Sequence, residues 1–415
     1  MLNKLVSLQP IPSGNITLTS TGNLGSSKLI NAAITPTSGK GTIAQLKSNL
    51  TQLDAILKKN NLSTDNVLRT QIFTRDLQEA KEIYNELVAY YGGMPPAFSI
   101  IPQPPAYGED CLMEVQISEL TPKRININLS ILEQENMRWA FLSGIMPNEG
   151  ITDTYECAKN VFEKSQQLLE NNGFSFGQIA RTWIYQDDII GHAPNEKQNY
   201  QCMNDARATI FKDKTFQIGN PSTDKWNGKV PPASTGIDMS PKNGTPILLE
   251  VVAVSPKATN IMGYPLRNPF QTNAFDYEQT VLEKGFAETK APPAFSRGFC
   301  VDSPEGSTIF VSGTASVEGQ DVIHIGDVAK QTELAILNML RVLNERGLTA
   351  KDIFTLRAYV AKPKHYSDED FQNALRIATS IVKGIFPNTP CLFTQANVCR
   401  PDWLFEIESM AGTTD

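Results

Sequence analysis

The segment "CRPDWLFEIESMAG", Cys399 to Gly412, places a thiol and a guanidinium ahead of two carboxylates. The stretch alternates: Trp403, Phe405 and Ile407 fall on one strand face, Leu404, Glu406 and Glu408 on the other. A glutamate in a partly apolar pocket has a raised pKa and can deliver a proton. An arginine beside it can hold a carboxylate through its planar fork. Each group also has a plainer reading. Two glutamates on one face are often solvated, and a cysteine is more often a small buried residue than a nucleophile.

The elements that position this strand occur in triplicate. Three segments share one pattern: "NLTQLDAILKKNNLSTDNVLRTQIFTRDL" from Asn49, "VFEKSQQLLENNGFSFGQIARTWIYQDDI" from Val161, and "LAILNMLRVLNERGLTAKDIFTLRAYVAK" from Leu334. Each reads as an amphipathic helix, a polar turn and a strand bearing an aromatic, with Phe73, Tyr185 and Tyr359 in equivalent places. Ile43, Leu46, Leu50, Leu53 and Leu57 share one helical face, as do Ala329, Thr332, Ile336, Met339 and Leu343. Opening strands are expected at "NITLTSTGNLG", "RWAFLSGIMP" and "STIFVSGTAS". Closing strands are expected at "CLMEVQISEL", "PILLEVVAVS" and "WLFEIESMAG", each preceded by a proline-containing segment. The unit is β-β-α-β-α-β, an α+β sandwich with helices on one sheet face. Units are expected at 1–120, 126–256 and 290–415, with 257–289 a long linker of the kind that is usually functional.

Composition excludes several classes. The 415 residues are 40% hydrophobic and 20% charged, enough for large cores and unlike a disordered chain. The net charge is −7, with no basic run, so no nucleic-acid partner is expected. Six cysteines lie at irregular spacings without a CxxC and read as free thiols. Three histidines, His192, His324 and His365, have no metal-ligand spacing, so neither a metal nor a cofactor is expected. The N-terminal "MLNKLVSLQP" lacks a signal-peptide core, and no apolar run is long enough to span a bilayer. The expected location is the cytoplasm, with no membrane partner.

The repeated unit resembles the RidA (YjgF) family, also labelled L-PSP endoribonuclease and translation initiation inhibitor. The first copy carries this most closely through "TSTGNLG", "TQIFTRDL" and "PPAFSIIPQPP…CLMEVQIS". From about Ile125 onward, "YQCMNDARATIF", "PPASTGI", "FSRG", "IFVSGTASVEGQDVIHIGDVAKQT" and "VCRPDWLFEIE" together resemble the chorismatases, which hydrolyse chorismate. The first unit is not a standard part of those enzymes, and "KTFQIGNPSTDKWNGKVPP" reads as an inserted loop. The family's subunits form trimers with sites between neighbours. The resemblance therefore implies three tandem RidA-like (chorismate-mutase-like) β-α-β sandwich repeats forming an intramolecular pseudo-trimer, a monomer that assembles its trimer covalently.

RidA-type imine deaminases hold the substrate carboxylate with an arginine in a "PARS"-like segment and position water with a closing-strand glutamate. Here Phe98, Ser234 and Leu392 stand at the arginine's place, which puts that chemistry in doubt. Glu114 and Glu406 match the strand glutamate and Leu248 replaces it, so the second unit reads as degenerate. The chorismatase resemblance implies a site between units two and three. Glu406 is its acid. Arg207, Arg297, Arg400, Tyr200, Gly313, Thr314 and Cys399 bind the substrate, with Arg207 facing Glu406. The implied partner is a small anionic metabolite resembling chorismate, whose two carboxylates call for arginines. Taken singly, Arg207 is an ordinary helix-surface charge, and Arg297 and Arg400 suit structural salt bridges. The competing functions are a non-catalytic or regulatory metabolite-binding protein, and the family's imine deaminase or endoribonuclease activity.

Overall fold

The computed structural model describes residues 15–194, 197–221, 230–239, 246–278 and 291–413. The first unit runs β1 (Leu18–Leu24), β2 (Ser27–Ile34), α1 (Thr42–Lys59), β3 (Val67–Thr74), α2 (Ala80–Tyr91), β4 (Ala97–Pro102) and β5 (Cys111–Ser118). The second runs β6 (Lys123–Asn126), β7 (Leu129–Glu133), β8 (Met137–Ile145), α3 (Thr154–Glu170), β9 (Ile179–Asp187), α4 (Asn199–Phe211), β10 (Ala233–Met239) and β11 (Ile247–Pro256). The third holds β12 (Met262–Leu266), β13 (Gly298–Ser303), β14 (Gly306–Thr314), a small ribbon of β15 (Val317–Glu318) and β16 (Asp321–Val322), α5 (Val328–Asn344), β17 (Ile353–Val360), α6 (Asp368–Ile385), β18 (Cys391–Gln395) and β19 (Phe405–Gly412).

Among the described residues three large sheets result, ordered β1-β2-β5-β3-β4, β10-β9-β11-β8-β7-β6 and β12-β13-β14-β19-β17-β18, beside the two-stranded ribbon β15-β16. In each large sheet, the closing strand lies antiparallel between the aromatic strand and β2, β8 or β14. The expected first opener, "NITLTSTGNLG", is instead the edge strand β1, one place further out, and β2 takes the position of β8 and β14. The class is mixed α+β. The expected unit lacked one strand, however. The proline segments yield β4, β10 and β18, each parallel to its aromatic strand at a sheet edge. Pro96, Pro232 and Pro390 stand immediately before those strands, where a missing N–H breaks no ladder. A parallel pair needs a crossover, and α2, α4 and α6 supply it.

The stretch 257–289 is more than a linker. It gives the third sheet its edge strand β12, while residues 279–289 lie outside the described residues. Residues 222–229 of the expected inserted loop also lie outside them. Among the described residues no helix is long and apolar enough to cross a membrane.

Each helix pair covers one sheet face. Leu46, Leu50, Leu53 and Leu57 of α1 pack with Ile83 and Leu87 of α2, matching the periodicity read from the sequence. The opposite sheet faces meet in a shared core containing Phe73, Leu112, Trp183, Tyr185, Leu248, Phe310, Tyr359, Leu392 and Met410. Trp403 belongs to this shared core, whereas Phe405 and Ile407 belong to the helix-covered core of the third sheet. Their expected common face is therefore wrong. β19 begins at Phe405, and Trp403 closes a turn with its N–H donating to the Arg400 carbonyl at 3.1 Å.

Strand register corrects a second reading. Phe73, Tyr185 and Tyr359 face Leu112, Leu248 and Glu406, whereas Gln71, Trp183 and Arg357 face Glu114, Glu250 and Glu408. Glu408, not Glu406, is thus the counterpart of Glu114 and Glu250, and Glu406 stands where the other sheets have leucine. Register also pairs Thr70, Thr182 and Leu356 with Phe98, Ser234 and Cys391, so Cys391 rather than Leu392 takes the anchor's place.

The three equivalent glutamates are buried where the sheets meet, in a cyclic exchange of charge. Arg69 lies 3.7 Å from Glu250, Arg181 2.7 Å from Glu408, and Arg357 3.1 Å from Glu114. Each arginine comes from one sheet and its carboxylate from another. Arg69 and Arg181 also stack on the Trp183 ring, each 4.6 Å from its centre.

Candidate active site

A cavity of about 710 Å³ lies where β10 of the second sheet approaches β14 and β19 of the third. The two sheets are stitched beside it: Ser234 N donates to Ser312 Oγ, and Gly313 N to Thr235 Oγ1, both at 2.9 Å. A register shift between Val311 and Thr314 bulges β14 at Ser312–Gly313. A bulge re-aims the chain next to it. Gly313 consequently faces the cavity, and a Cβ there would stand 2.1 Å from Glu406 Oε1. The glycine is what gives the carboxyl room.

Seven of the eight residues singled out from the sequence line this cavity: Glu406, Arg207, Arg297, Arg400, Tyr200, Gly313 and Cys399. Thr314 does not. It sits one residue beyond the bulge, pairs with Ile407 and is 4% exposed. Glu408, two residues after Glu406 on the same face, is also elsewhere. It accepts from Arg181 and Trp183 Nε1 at 2.7 Å and from Thr235, and Arg357 lies 3.3 Å away.

Glu406 is 4% exposed and accepts no hydrogen bond among the described residues. Burial and the neighbouring Glu408 charge push its carboxyl up to about 8, against the pull of Arg181 and Arg297. It is therefore protonated near neutral pH.

The arginines are arranged differently from salt-bridge partners. Among the described residues none of the three has a carboxylate partner. Arg207 sits on α4, where Tyr200, Asn204 and Arg207 follow at helical spacings of four and three. Its guanidinium donates to Asn204 Oδ1 and Ser234 Oγ, and its Nε has no partner. The expectation of a helix-surface charge fails: Arg207 is 2% exposed. Arg297 donates to Tyr277 OH at 2.6 Å and to the Thr272 carbonyl at 2.7 Å. Arg400, half-buried, donates to the Gln320 carbonyl and stacks between Tyr277 and Trp403. The remaining acids on the cavity, Asp321 and Asp402, are exposed at its rim.

Two polar groups complete the wall near Glu406. Burial and the Glu406 charge push the Cys399 thiol up to about 12, so it is a neutral thiol and not a thiolate nucleophile. Burial likewise raises Tyr200 above its ordinary value and keeps its hydroxyl protonated. Trp403 and Phe295 are large apolar side chains on the cavity that Glu406 lines, while Phe405 belongs to the helix-covered core of the third sheet. Sequence reading missed Asn204, Tyr277 and Phe295. Asn204 was marked by its spacing from Tyr200, and Phe295 by its place two before Arg297. Tyr277 carried no local signal, because its position depends on the path of 267–278.

Residues 287–413 match the family model described as Endoribonuclease L-PSP. The third unit has the RidA-like fold. Chorismatases are among the chain's relatives. Chorismatase from Streptomyces hygroscopicus is 26% identical over 265 residues, 61% of this chain and 65% of that protein. The chain thus spans slightly less than two-thirds of that relative's length. A 3-hydroxybenzoate synthase from the same organism is 25% identical over 283 residues, 65% of this chain and 73% of that one. A crystal structure of chorismatase superposes with a TM-score of 0.60 at 19% identity, covering 96% of this chain and all of that one. A match of that extent reaches into the first sheet. The expectation that the first unit has no counterpart in such enzymes is overturned at the level of the fold.

Proposed function

We propose that the chain is a chorismatase-like hydrolase that removes pyruvate from chorismate or a similar small dicarboxylate with an enolpyruvyl ether. One observation carries this reading: a buried, protonated carboxyl shares a cavity with three arginines that have no carboxylate partner among the described residues. Cations without counter-charges suit a dianion, and a neutral acid suits protonation of a vinyl ether.

Glu406 gives its proton to the terminal CH2 of the enolpyruvyl group, which makes an oxocarbenium ion at the ether carbon. The Glu406 carboxylate left behind stabilises that cation. Water adds to the ether carbon and gives one proton back to the Glu406 carboxylate. The resulting hemiketal breaks its C–O bond to the ring as its hydroxyl proton passes to the ring oxygen, so that pyruvate leaves as the ketone and the ring oxygen becomes a hydroxyl. Arg207, Arg297 and Arg400 hold the two substrate carboxylates, and Tyr200 and Cys399 offer neutral hydrogen bonds. The test is pyruvate release from chorismate by the pure protein. Binding without turnover would favour the metabolite-binding alternative.

Two variants refine the assignment. Arg207→Met should raise the KM for chorismate by ~100-fold, since it removes a charge-assisted pair of hydrogen bonds. Gly313→Ala should lower kcat by ~100-fold, because the added methyl displaces the acid by about an ångström. Steady-state kinetics separates the two effects. Unchanged parameters in either variant would remove that residue from the site.

The three sheets are read as three RidA-like units, at 1–120, 126–256 and 290–415, closed into an internal trimer. The common strand order and the cyclic Arg–Glu exchange support this. So does the filling of the other clefts: Leu112 and Leu248, the counterparts of Glu406, are both fully buried in the shared core. This reading gives one functional site per chain, in a monomeric pseudo-trimer.

A further inference from the structure

A second cavity of about 510 Å³ adjoins the first, and the two share Ile190, His192, Arg400, Pro401, Asp402 and Trp403. All six come from two loops, one following β9 and one preceding β19. The loops have one thing in common at their roots. Asp238, near the end of β10, accepts from Ile189 N through Oδ1 at 3.1 Å and from Asn397 Nδ2 through Oδ2 at 2.8 Å. We propose that Asp238 is a positioning residue: its two carboxylate oxygens fix both loops of the partition between the cavities, and with them Arg400 and Trp403. The outer cavity is then the antechamber of the proposed site, and this part of the inference rests on the hydrolase reading.

The link reaches the inner wall as well. The Ile189 carbonyl that Asp238 helps to place accepts from Tyr200 N at 3.2 Å, at the start of α4. Asp188 turns the chain sharply just before, with φ of 45°. Asp238 itself is 6% exposed. Burial and the adjacent Asp187 push its carboxyl up to about 7, so keeping an acid there costs stability that a purely structural apolar residue would not. The backbone also joins these segments, through Asp238 N donating to the Asn397 carbonyl at 3.1 Å. The side chain's share is therefore separable by mutation.

Hydrogen exchange tests the tether without reference to activity. Asp238→Ala should raise deuterium uptake in 189–194 and in 397–404 and leave 405–412 unchanged. Asp238→Asn should restore the wild-type pattern, since its oxygen still accepts from Ile189 N and a flipped Asn397 amide accepts from its NH2. Asn397→Ala, at a half-buried loop position, severs one link and should affect only 397–404, which keeps the test decisive if Asp238→Ala fails to fold. Unaltered uptake in Asn397→Ala, or no recovery in Asp238→Asn, overturns the tether. In kinetics, Asp238→Ala should raise the KM for chorismate by ~10-fold and change kcat by less than ~3-fold. A fall in kcat alone would overturn the antechamber. Absence of turnover in the wild type, with the exchange pattern intact, would remove the hydrolase reading and leave the tether standing.

Discussion

Glu406→Gln should reduce pyruvate release from chorismate by ~10²–10⁴-fold, the usual contribution of a positioned general acid, with KM little changed. Glutamine keeps the shape and a hydrogen-bond donor but has no proton to give. On the hydrolase reading, the wild-type protein should be fully active below neutrality and lose activity as pH rises through about 8, where the Glu406 carboxyl ionises. A stability signature accompanies this. The folded pKa is raised above the ordinary value of 4.5, so between 4.5 and about 8 the folded protein holds a proton that the unfolded chain has released. Stability therefore falls as pH rises through that window and levels off above it, by up to ~1.4 kcal/mol per pH unit. Glu406→Gln removes that dependence and should be more stable than wild type at pH 9. A coupled pyruvate assay across pH and thermal melts at pH 5 and 9 read both effects. Release undiminished by the substitution would end the assignment.

The acid's behaviour depends on a difference between near neighbours. Glu406 and Glu408 lie on one face of one strand, yet Glu408 is met by Arg181, Trp183, Thr235 and Arg357, and Glu406 by no donor among the described residues. A carboxylate so surrounded is satisfied as an anion. A carboxyl buried without donors is stable only when neutral. Glu408's charge then reinforces the neutrality of Glu406.

That distinction was not legible in the sequence. Alternation put both glutamates on one face, but which neighbouring sheet each one meets follows from packing at the sheet junction. Counting along the closing strands matched Glu406 with Glu114. Only cross-strand register shows that the match belongs to Glu408. The helices were legible because burial on one face imposes a 3.6-residue period, and α4 likewise announced Tyr200 and Arg207. The proline-led strands were not, since an edge strand next to proline shows weak alternation. Asp238 gave no signal at all. Its importance comes from two loops that converge on it from Ile189 and from Asn397.

Arg357→Met should destabilise the fold by about 3–5 kcal/mol, the cost of removing one partner from a buried ion pair. Arg357 is 2% exposed, lies 3.1 Å from Glu114 and 3.3 Å from Glu408, and donates to Tyr185 OH at 2.6 Å and to Gln71 at 3.0 Å. Those partners come from all three sheets, so one guanidinium ties the junction on which the cavity rests. Burial alone would lower its pKa, but Glu114, the two tyrosines and Glu408 outweigh it and hold Arg357 well above its ordinary value. Methionine matches the stem yet leaves Glu114 and Glu408 buried without that cation. Glu408 still has Arg181, whereas Glu114 has no other ion-pair partner among the described residues, so the penalty concentrates on Glu114. The double variant Arg357→Met with Glu114→Leu should recover most of the loss, because an apolar pair of similar volume replaces both charges. Urea unfolding of the two singles and the double gives the coupling directly. Additive losses would mean that the junction is held by packing alone and that the exchange of charge between sheets contributes nothing to closing the fold.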